Sequence, residues 1–169
     1  LFRSSCTYYG LIFTMLICIL HNNGTCFASI HPPHRSYIIR EIKNIIYAED
    51  DEDIKIIVKI VLESKNSSLR LNFANNGQEL LASLRYAIPD LILLDVVMPV
   101  MDGPTVLKEI RKNPKFKDIP VIFLTSKAQA FEIEELSKMD VLGVIPKPFD
   151  TMKLYSIIEN LWNKHYAVA

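Results

Sequence analysis

Cysteine and glycine are scarce in this sequence. The scarcity of cysteine limits where disulfides can form, and the positions of the few glycines bear on nucleotide binding. The 169 residues include three cysteines, all of which lie within the first 40 residues. No disulfide can therefore form within the chain after residue 41, and this fits a reducing compartment. None of the five glycines lies in a phosphate-binding loop or a dinucleotide fingerprint, which disfavours nucleotide binding.

The chain also lacks an excess of charge of either sign. It contains 19 basic and 19 acidic residues, with no long basic tract. A nucleic-acid partner is therefore not indicated. The balance conceals an asymmetry, because the first 40 residues hold three arginines and no acid, which leaves the remainder with 16 basic and 19 acidic residues.

This asymmetry divides the chain near the sequence HPPHRS at residues 31–36. We interpret 1–40 as an N-terminal extension, 41–166 as one globular domain and 167–169 as a tail. The extension contains an apolar run, LIFTMLICIL, shorter than the ~20 residues that a membrane span needs. It could be a signal or anchor. An incidental extension is favoured, because the rest of the chain has the features of a cytoplasmic domain.

From residue 41 onward, short apolar runs alternate with segments of helical periodicity. The predicted strands are 42–48, 69–74, 90–95, 120–125 and 141–145. The predicted helices are 54–62, 78–87, 103–112, 130–139 and a last helix around 154–162. This alternation predicts an α/β fold with a parallel sheet covered by helices on both faces. In such folds, ligands bind beyond the carboxyl ends of the strands.

Two of these helices carry apolar residues at the spacing of one buried face. In the first helix they are Ile54, Ile57, Val58, Val61 and Leu62. In the last helix they are Leu154, Ile157, Ile158, Leu161 and Trp162, which we expect to lie in the core rather than on a binding surface.

Polar residues end or follow four of the five predicted strands. They are Glu49 and Asp50, Asp95, Thr125 with Ser126, and Lys147. Carboxylates brought together oppose one another's ionisation unless a cation lies among them, and Mg²⁺ prefers such oxygen ligands. An Asp beside Mg²⁺ and a Lys is a plausible nucleophile toward phosphorus.

Four motifs in this order resemble the receiver domains of bacterial two-component response regulators. They are YAEDDED, LILLDVVMPVMDG, VIFLTS and GVIPKPFD, and the resemblance covers about residues 42–165. It implies a flavodoxin-like doubly wound sheet of five parallel strands in the order 2-1-3-4-5. It also implies a stand-alone receiver that signals by docking a partner.

The resemblance assigns roles to individual residues. Asp95 would accept a phosphoryl group from a phosphohistidine of a sensor histidine kinase or phosphotransfer protein. Asp50 would bind Mg²⁺ directly and Glu49 largely through water, with Asp95 and the backbone carbonyl of Val97 as further ligands. Thr125 would be the switch hydroxyl.

The same resemblance gives Lys147 the role of the ammonium that offsets phosphoryl charge, and implies a cis Lys147–Pro148 bond. The usual docking face would be residues 127–164. The chain departs from the family at Val144, where an aromatic residue commonly stands. The implied protein is cytoplasmic. It phosphorylates its own Asp without being a turnover enzyme, and it uses no small-molecule substrate beyond phosphodonors.

Two other functions are compatible with parts of the pattern. An aspartyl-phosphate hydrolase needs a second Asp two residues after the nucleophile, and Val97 cannot transfer a proton. A receiver-like interaction module that is never phosphorylated is the other alternative. The neighbouring acids have simpler predicted roles: Asp51, Glu52 and Asp53 begin the next helix, and Asp102 caps another helix beside a turn glycine, Gly103.

Overall fold

A computed structural model of the chain describes residues 40–126 and 130–167, with the side chains of 130–132 excepted. The predicted N-terminal extension, apart from Arg40, lies outside the described residues, and so do 127–129 of the predicted docking face and 168–169 of the predicted tail. The elements alternate as β1 Asn44–Ala48, α1 Glu52–Lys65, β2 Arg70–Ala74, α2 Gly77–Ser83, β3 Leu91–Asp95, α3 Gly103–Lys112, β4 Val121–Thr125, α4 Ala130–Ser137, β5 Gly143–Pro146 and α5 Thr151–Ala167.

The five strands form one parallel sheet in the order β2-β1-β3-β4-β5. This confirms the predicted fold class and strand order. The register pairs Ala48 with Leu94, Asp95 with Leu124 and Thr125 with Pro146. The carboxyl ends of β1, β3, β4 and β5 therefore lie along one edge of the sheet.

Each face of the sheet is covered by its own hydrophobic core. One core joins the sheet to α2, α3 and α4, and the other joins it to α1 and α5. Alternate residues of β1 serve the two cores, with Ile46 on the first side and Ile45 and Tyr47 on the second, as the two-residue period of a strand requires. The fully buried β3 and β4 are typical of central strands in a doubly wound sheet.

The buried face of α5 agrees with its prediction, whereas that of α1 needs a correction. Leu154, Ile158 and Trp162 are buried, and the Trp162 indole N–H donates to the Arg40 carbonyl. In α1, Ile57 was expected in the core but is 44% exposed. Lys55 is buried instead. Its long apolar stem can pack inward, because its ammonium group reaches Glu52 and Asn75.

Within residues 40–126 and 130–167, no helix is both long enough and apolar enough to cross a membrane.

Candidate functional site

The first strand ends in two acidic residues that lie in different environments. Glu49 is buried and its backbone N–H donates to the Ala74 carbonyl at 3.0 Å, which extends the pairing of β1 with β2. Asp50 is exposed. Asp51 then caps α1, accepting hydrogen bonds from the backbone N–H groups of Asp53 and Ile54 at 2.9 and 3.2 Å. The acidic run thus separates into two strand-end residues and a helix start.

Asp95 closes the third strand and is 5% exposed. Its Oδ1 accepts a hydrogen bond from the Val97 backbone N–H at 3.1 Å. Gly103 lies against the same backbone, because a Cβ built on this glycine would stand 2.4 Å from the Asp95 carbonyl oxygen. Gly103 is the first residue of α3, where the predicted helix also begins. Turn geometry was the predicted reason for this glycine, whereas in the structure the close approach to Asp95 excludes a side chain there. The predicted cap is confirmed: Asp102 accepts from the Thr105 N–H at 2.9 Å.

Lys147 follows the fifth strand and crosses the edge of the sheet to the carboxylates. Its backbone N–H donates to the Thr125 carbonyl at 2.7 Å, and the Lys147–Pro148 bond is cis. The ammonium donates to Asp95 Oδ2 at 2.6 Å and to Glu49 Oε2. The Lys147 ammonium therefore joins the ends of β1, β3 and β5.

Glu49, Asp50 and Asp95 each place a carboxylate oxygen within 4.8 Å of the others'. Their donor set suits a hard divalent cation, which takes oxygen ligands and retains water. The exposure of Asp50 leaves one side of the cluster open to solvent. Burial raises the pKa of Glu49 and the nearby Asp95 raises it further, whereas the hydrogen bonds from Lys147 and Tyr47 lower it, and the net direction is upward. A divalent cation among the three carboxylates would offset their mutual repulsion, so these residues fit a divalent cation.

The remaining predicted site residues lie beside this cluster. Thr125 is fully buried at the end of β4, one residue beyond the Leu124 that pairs with Asp95. The Val97 side chain is 49% exposed, and the role of its backbone carbonyl as a cation ligand stays a prediction. The structure thus brings Glu49, Asp50, Asp95 and Lys147 together, and positions Thr125 on the neighbouring strand.

Sequence reasoning missed one residue of this site, Tyr47. It stands in the apolar run that predicted β1, where a tyrosine is expected to fill the core. The ring is fully buried, and its hydroxyl donates to Glu49 Oε2. Burial and the adjoining Glu49 carboxylate raise the pKa of Tyr47 well above its ordinary value, so the hydroxyl keeps its proton. The available signal was its position two residues before Glu49, on the same side of the strand.

Comparison with known proteins identifies a family for this arrangement. The family described as response regulator receiver domain matches residues 45–159. A probable transcriptional regulator, ycf29 of Porphyra purpurea, is 33% identical over 118 residues, which cover 70% of this chain and 56% of that protein. The chain spans about half the length of the curated relatives it matches.

Solved structures show the same fold. The phosphorylated cyanobacterial phytochrome response regulator RcpA is 27% identical, with a TM-score of 0.63 over 76% of this chain and 97% of that one. The Mn²⁺-bound form of response regulator Rcp1 is 26% identical, with a TM-score of 0.61 over 75% of this chain and 96% of that one.

Proposed function

The chain belongs to the response regulator receiver domain family, and on that premise we propose that it is phosphorylated on Asp95. The observation that carries the proposal is the convergence of Glu49, Asp50, Asp95 and Lys147 at one edge of the sheet. Receiver domains are signalling modules and generally not turnover enzymes. Asp95 would therefore be both the nucleophile and the site that stores the signal.

The chemistry is transfer of a phosphoryl group to a carboxylate. An Asp95 oxygen attacks the phosphorus of a phosphohistidine, the phosphorus–nitrogen bond breaks, and its electron pair leaves with the imidazole. The product is an acyl phosphate on Asp95. Lys147, 2.6 Å from Asp95 Oδ2, places a positive charge where the phosphoryl oxygens would arrive, and such charge-assisted contacts are strong. The Thr125 hydroxyl would hydrogen-bond a phosphoryl oxygen.

We propose Mg²⁺ as the cation of this site. Glu49, Asp50, Asp95 and the Val97 carbonyl would hold it, and the bound ion would neutralise charge on the transferred group. The chain itself supplies the alignment. Burial of Asp95 shields the nucleophile from water, and the Val97 N–H and Lys147 fix its two oxygens.

We also propose the partners of the protein. Receiver domains of response regulators interact with histidine kinases, and here we propose a sensor kinase or a histidine phosphotransfer protein as the phosphodonor. A downstream protein would dock on the 127–164 face. Because these phosphodonors are cytoplasmic, we propose that the protein is cytoplasmic as well. We propose 40–166 as the receiver domain, one residue longer than the predicted 41–166, because Arg40 contacts Trp162 and Tyr166.

Acetyl phosphate labelling tests the proposal without knowledge of the kinase. The protein with Mg²⁺ should gain the mass of one phosphoryl group. Asp95→Asn should abolish the gain, because an amide is not a nucleophile toward phosphorus. Asp50→Ala should abolish it through loss of the cation, while Glu52→Ala, an exposed acid of α1, should leave it intact. Absence of labelling from the unsubstituted chain would instead favour the phosphorylation-independent interaction module. Labelling that survives in Asp95→Asn would mean that another residue accepts the phosphoryl group.

A further inference from the structure

Tyr47 holds a place in the site that its burial does not explain. It belongs to the core between the sheet and helices α1 and α5 and has no exposed surface. A phenylalanine would fill that volume equally well. The tyrosine adds one hydroxyl, and this group donates to Glu49 Oε2, a carboxylate oxygen of the proposed cation site.

The two oxygens of Glu49 have unequal partners. Oε2 accepts from both the Tyr47 hydroxyl and the Lys147 ammonium. Among the described residues, Oε1 has a single long contact, from the Asp51 backbone N–H at 3.4 Å, and hydrogen bonds of that length are weak. The carboxylate is thus anchored through one oxygen and leaves the other available.

The hydroxyl also stands at the end of a hydrogen-bonded chain that leads to the phosphoacceptor. Tyr47 contacts Glu49, Glu49 contacts Lys147, and Lys147 contacts Asp95 Oδ2 at 2.6 Å. Lys147 lies on a loop and could divide its donors differently between the two acids. Tyr47 cannot shift in the same way, because its ring is packed in the core beside Phe73, at a centroid distance of 6.2 Å.

We infer that the Tyr47 hydroxyl is a positioning group that fixes the Glu49 carboxylate with Oε2 toward Lys147 and Oε1 free for the cation or its water. The inference rests on the proposed function of the site. Partners that orient a metal ligand in this way commonly contribute about 10- to 100-fold to metal affinity. A rotation of Glu49 would remove one acid from the cluster that includes Asp50 and Asp95.

Tyr47→Phe tests the inference, since it deletes the hydroxyl and retains the ring. We expect the Kd for Mg²⁺, measured by titration calorimetry without any phosphodonor, to rise about tenfold. Acetyl phosphate labelling should weaken at low Mg²⁺ and recover at saturating Mg²⁺, because Asp95 itself is unchanged. Tyr166→Phe is the matched control. Tyr166 lies beside Trp162 and Arg40, near the opposite end of β1, and its substitution should not change the Kd.

A second substitution separates positioning from core packing. If Tyr47 acts through Glu49, Tyr47→Phe should have no further effect on Mg²⁺ affinity in a Glu49→Gln background. A purely structural tyrosine would lower the melting temperature and leave the Kd unchanged, and that result would overturn the inference. Tyr47→Leu also lacks the hydroxyl and serves if the phenylalanine variant folds poorly.

The result can be distinguished from failure of the proposed function. An unchanged Kd in Tyr47→Phe, with normal Mg²⁺ binding and labelling of the parent chain, overturns the positioning role alone. A raised Kd with no labelling of Asp95 in the parent chain supports the positioning role and overturns phosphorylation. Absence of Mg²⁺ binding by the parent chain overturns both.

Discussion

A single strained residue lies in the loop that follows β3. Val100 has a φ of 69° and is 72% exposed, and a β-branched side chain in this region of backbone space is an outlier. The Met101 N–H donates to the Pro99 carbonyl at 2.7 Å, so a tight three-residue turn imposes the conformation. Such a turn is rare and strained. Because the Val100 side chain is mostly exposed, its burial does not compensate for the backbone strain.

Val100→Gly should therefore stabilise the domain. Relief of the left-handed strain gains about 1–2 kcal/mol, and the greater freedom of glycine in the unfolded chain offsets about 0.5–1 kcal/mol of it. We expect the free energy of unfolding in urea to rise by about 0.5–1 kcal/mol. Val97→Gly, at an exposed valine of the same loop, should lower it. A loss of stability in both variants would show that the turn at Val100 is not strained.

Some site residues could be predicted from the sequence and others could not, for physical reasons. Glu49, Asp50, Asp95 and Lys147 follow apolar runs, and parallel strands must end at one edge, so their meeting could be predicted from order alone. Their roles in phosphorylation stay a prediction. Tyr47 was not singled out, because a tyrosine in an apolar strand is expected to fill the core, and its position two residues before Glu49 is a weak signal that its hydroxyl has a partner.

At the scale of elements, Arg111 ties α3 to two loops. Its guanidinium donates to the carbonyls of Lys117 and Ile119 at 2.8 and 2.9 Å and to that of Asp140 at 2.6 Å. It also lies 2.6 Å from the Asp140 carboxylate. The α3–β4 and α4–β5 loops are thus held by one planar side chain. Those loops lead into β4 and β5, whose far ends bear Thr125 and Lys147.

Arg111→Ala should lower the free energy of unfolding by about 3 kcal/mol, since hydrogen bonds to a charged group contribute about 1.5–3 kcal/mol each and part of the loss is relieved by water. Arg111→Lys should recover less than half of this loss, because an ammonium cannot reproduce the planar fork. Lys112→Ala is the control on the same helix. Lys112 forms an exposed pair with Glu109 and should cost less than about 1 kcal/mol. Equal losses in the alanine variants would contradict a bridging role.

Element boundaries could be predicted where capping residues mark them and not where local hydrogen bonding decides. Helix α3 begins at Gly103 after the Asp102 cap, as predicted. Helix α2 was expected to reach Ala87 but ends at Ser83. There Arg85 and Tyr86 donate to the carbonyls three residues before them, which tightens the last turn. The apolar spacing of the sequence does not distinguish this turn from continued helix.

At the scale of the whole molecule, the candidate site exists only in the folded chain. Its carboxylates come from the ends of β1 and β3, which are distant in sequence and meet through direct pairing of those strands. The unfolded chain cannot reproduce that cluster. A cation held by Glu49, Asp50 and Asp95 would therefore bind the native state in preference, and binding energy would become folding energy.

Mg²⁺ should accordingly raise the stability of the whole domain, by about 2.7 kcal/mol at a concentration 100 times its Kd. Thermal unfolding over a Mg²⁺ series should show a melting temperature that rises with the logarithm of concentration. Asp50→Ala should largely abolish the rise, because it removes the exposed ligand without disturbing the core. Glu52→Ala should retain the rise, since that carboxylate pairs with Lys55 outside the cluster. An equal rise in Asp50→Ala would mean that Mg²⁺ stabilises the protein at another place and has no role in phosphorylation of Asp95.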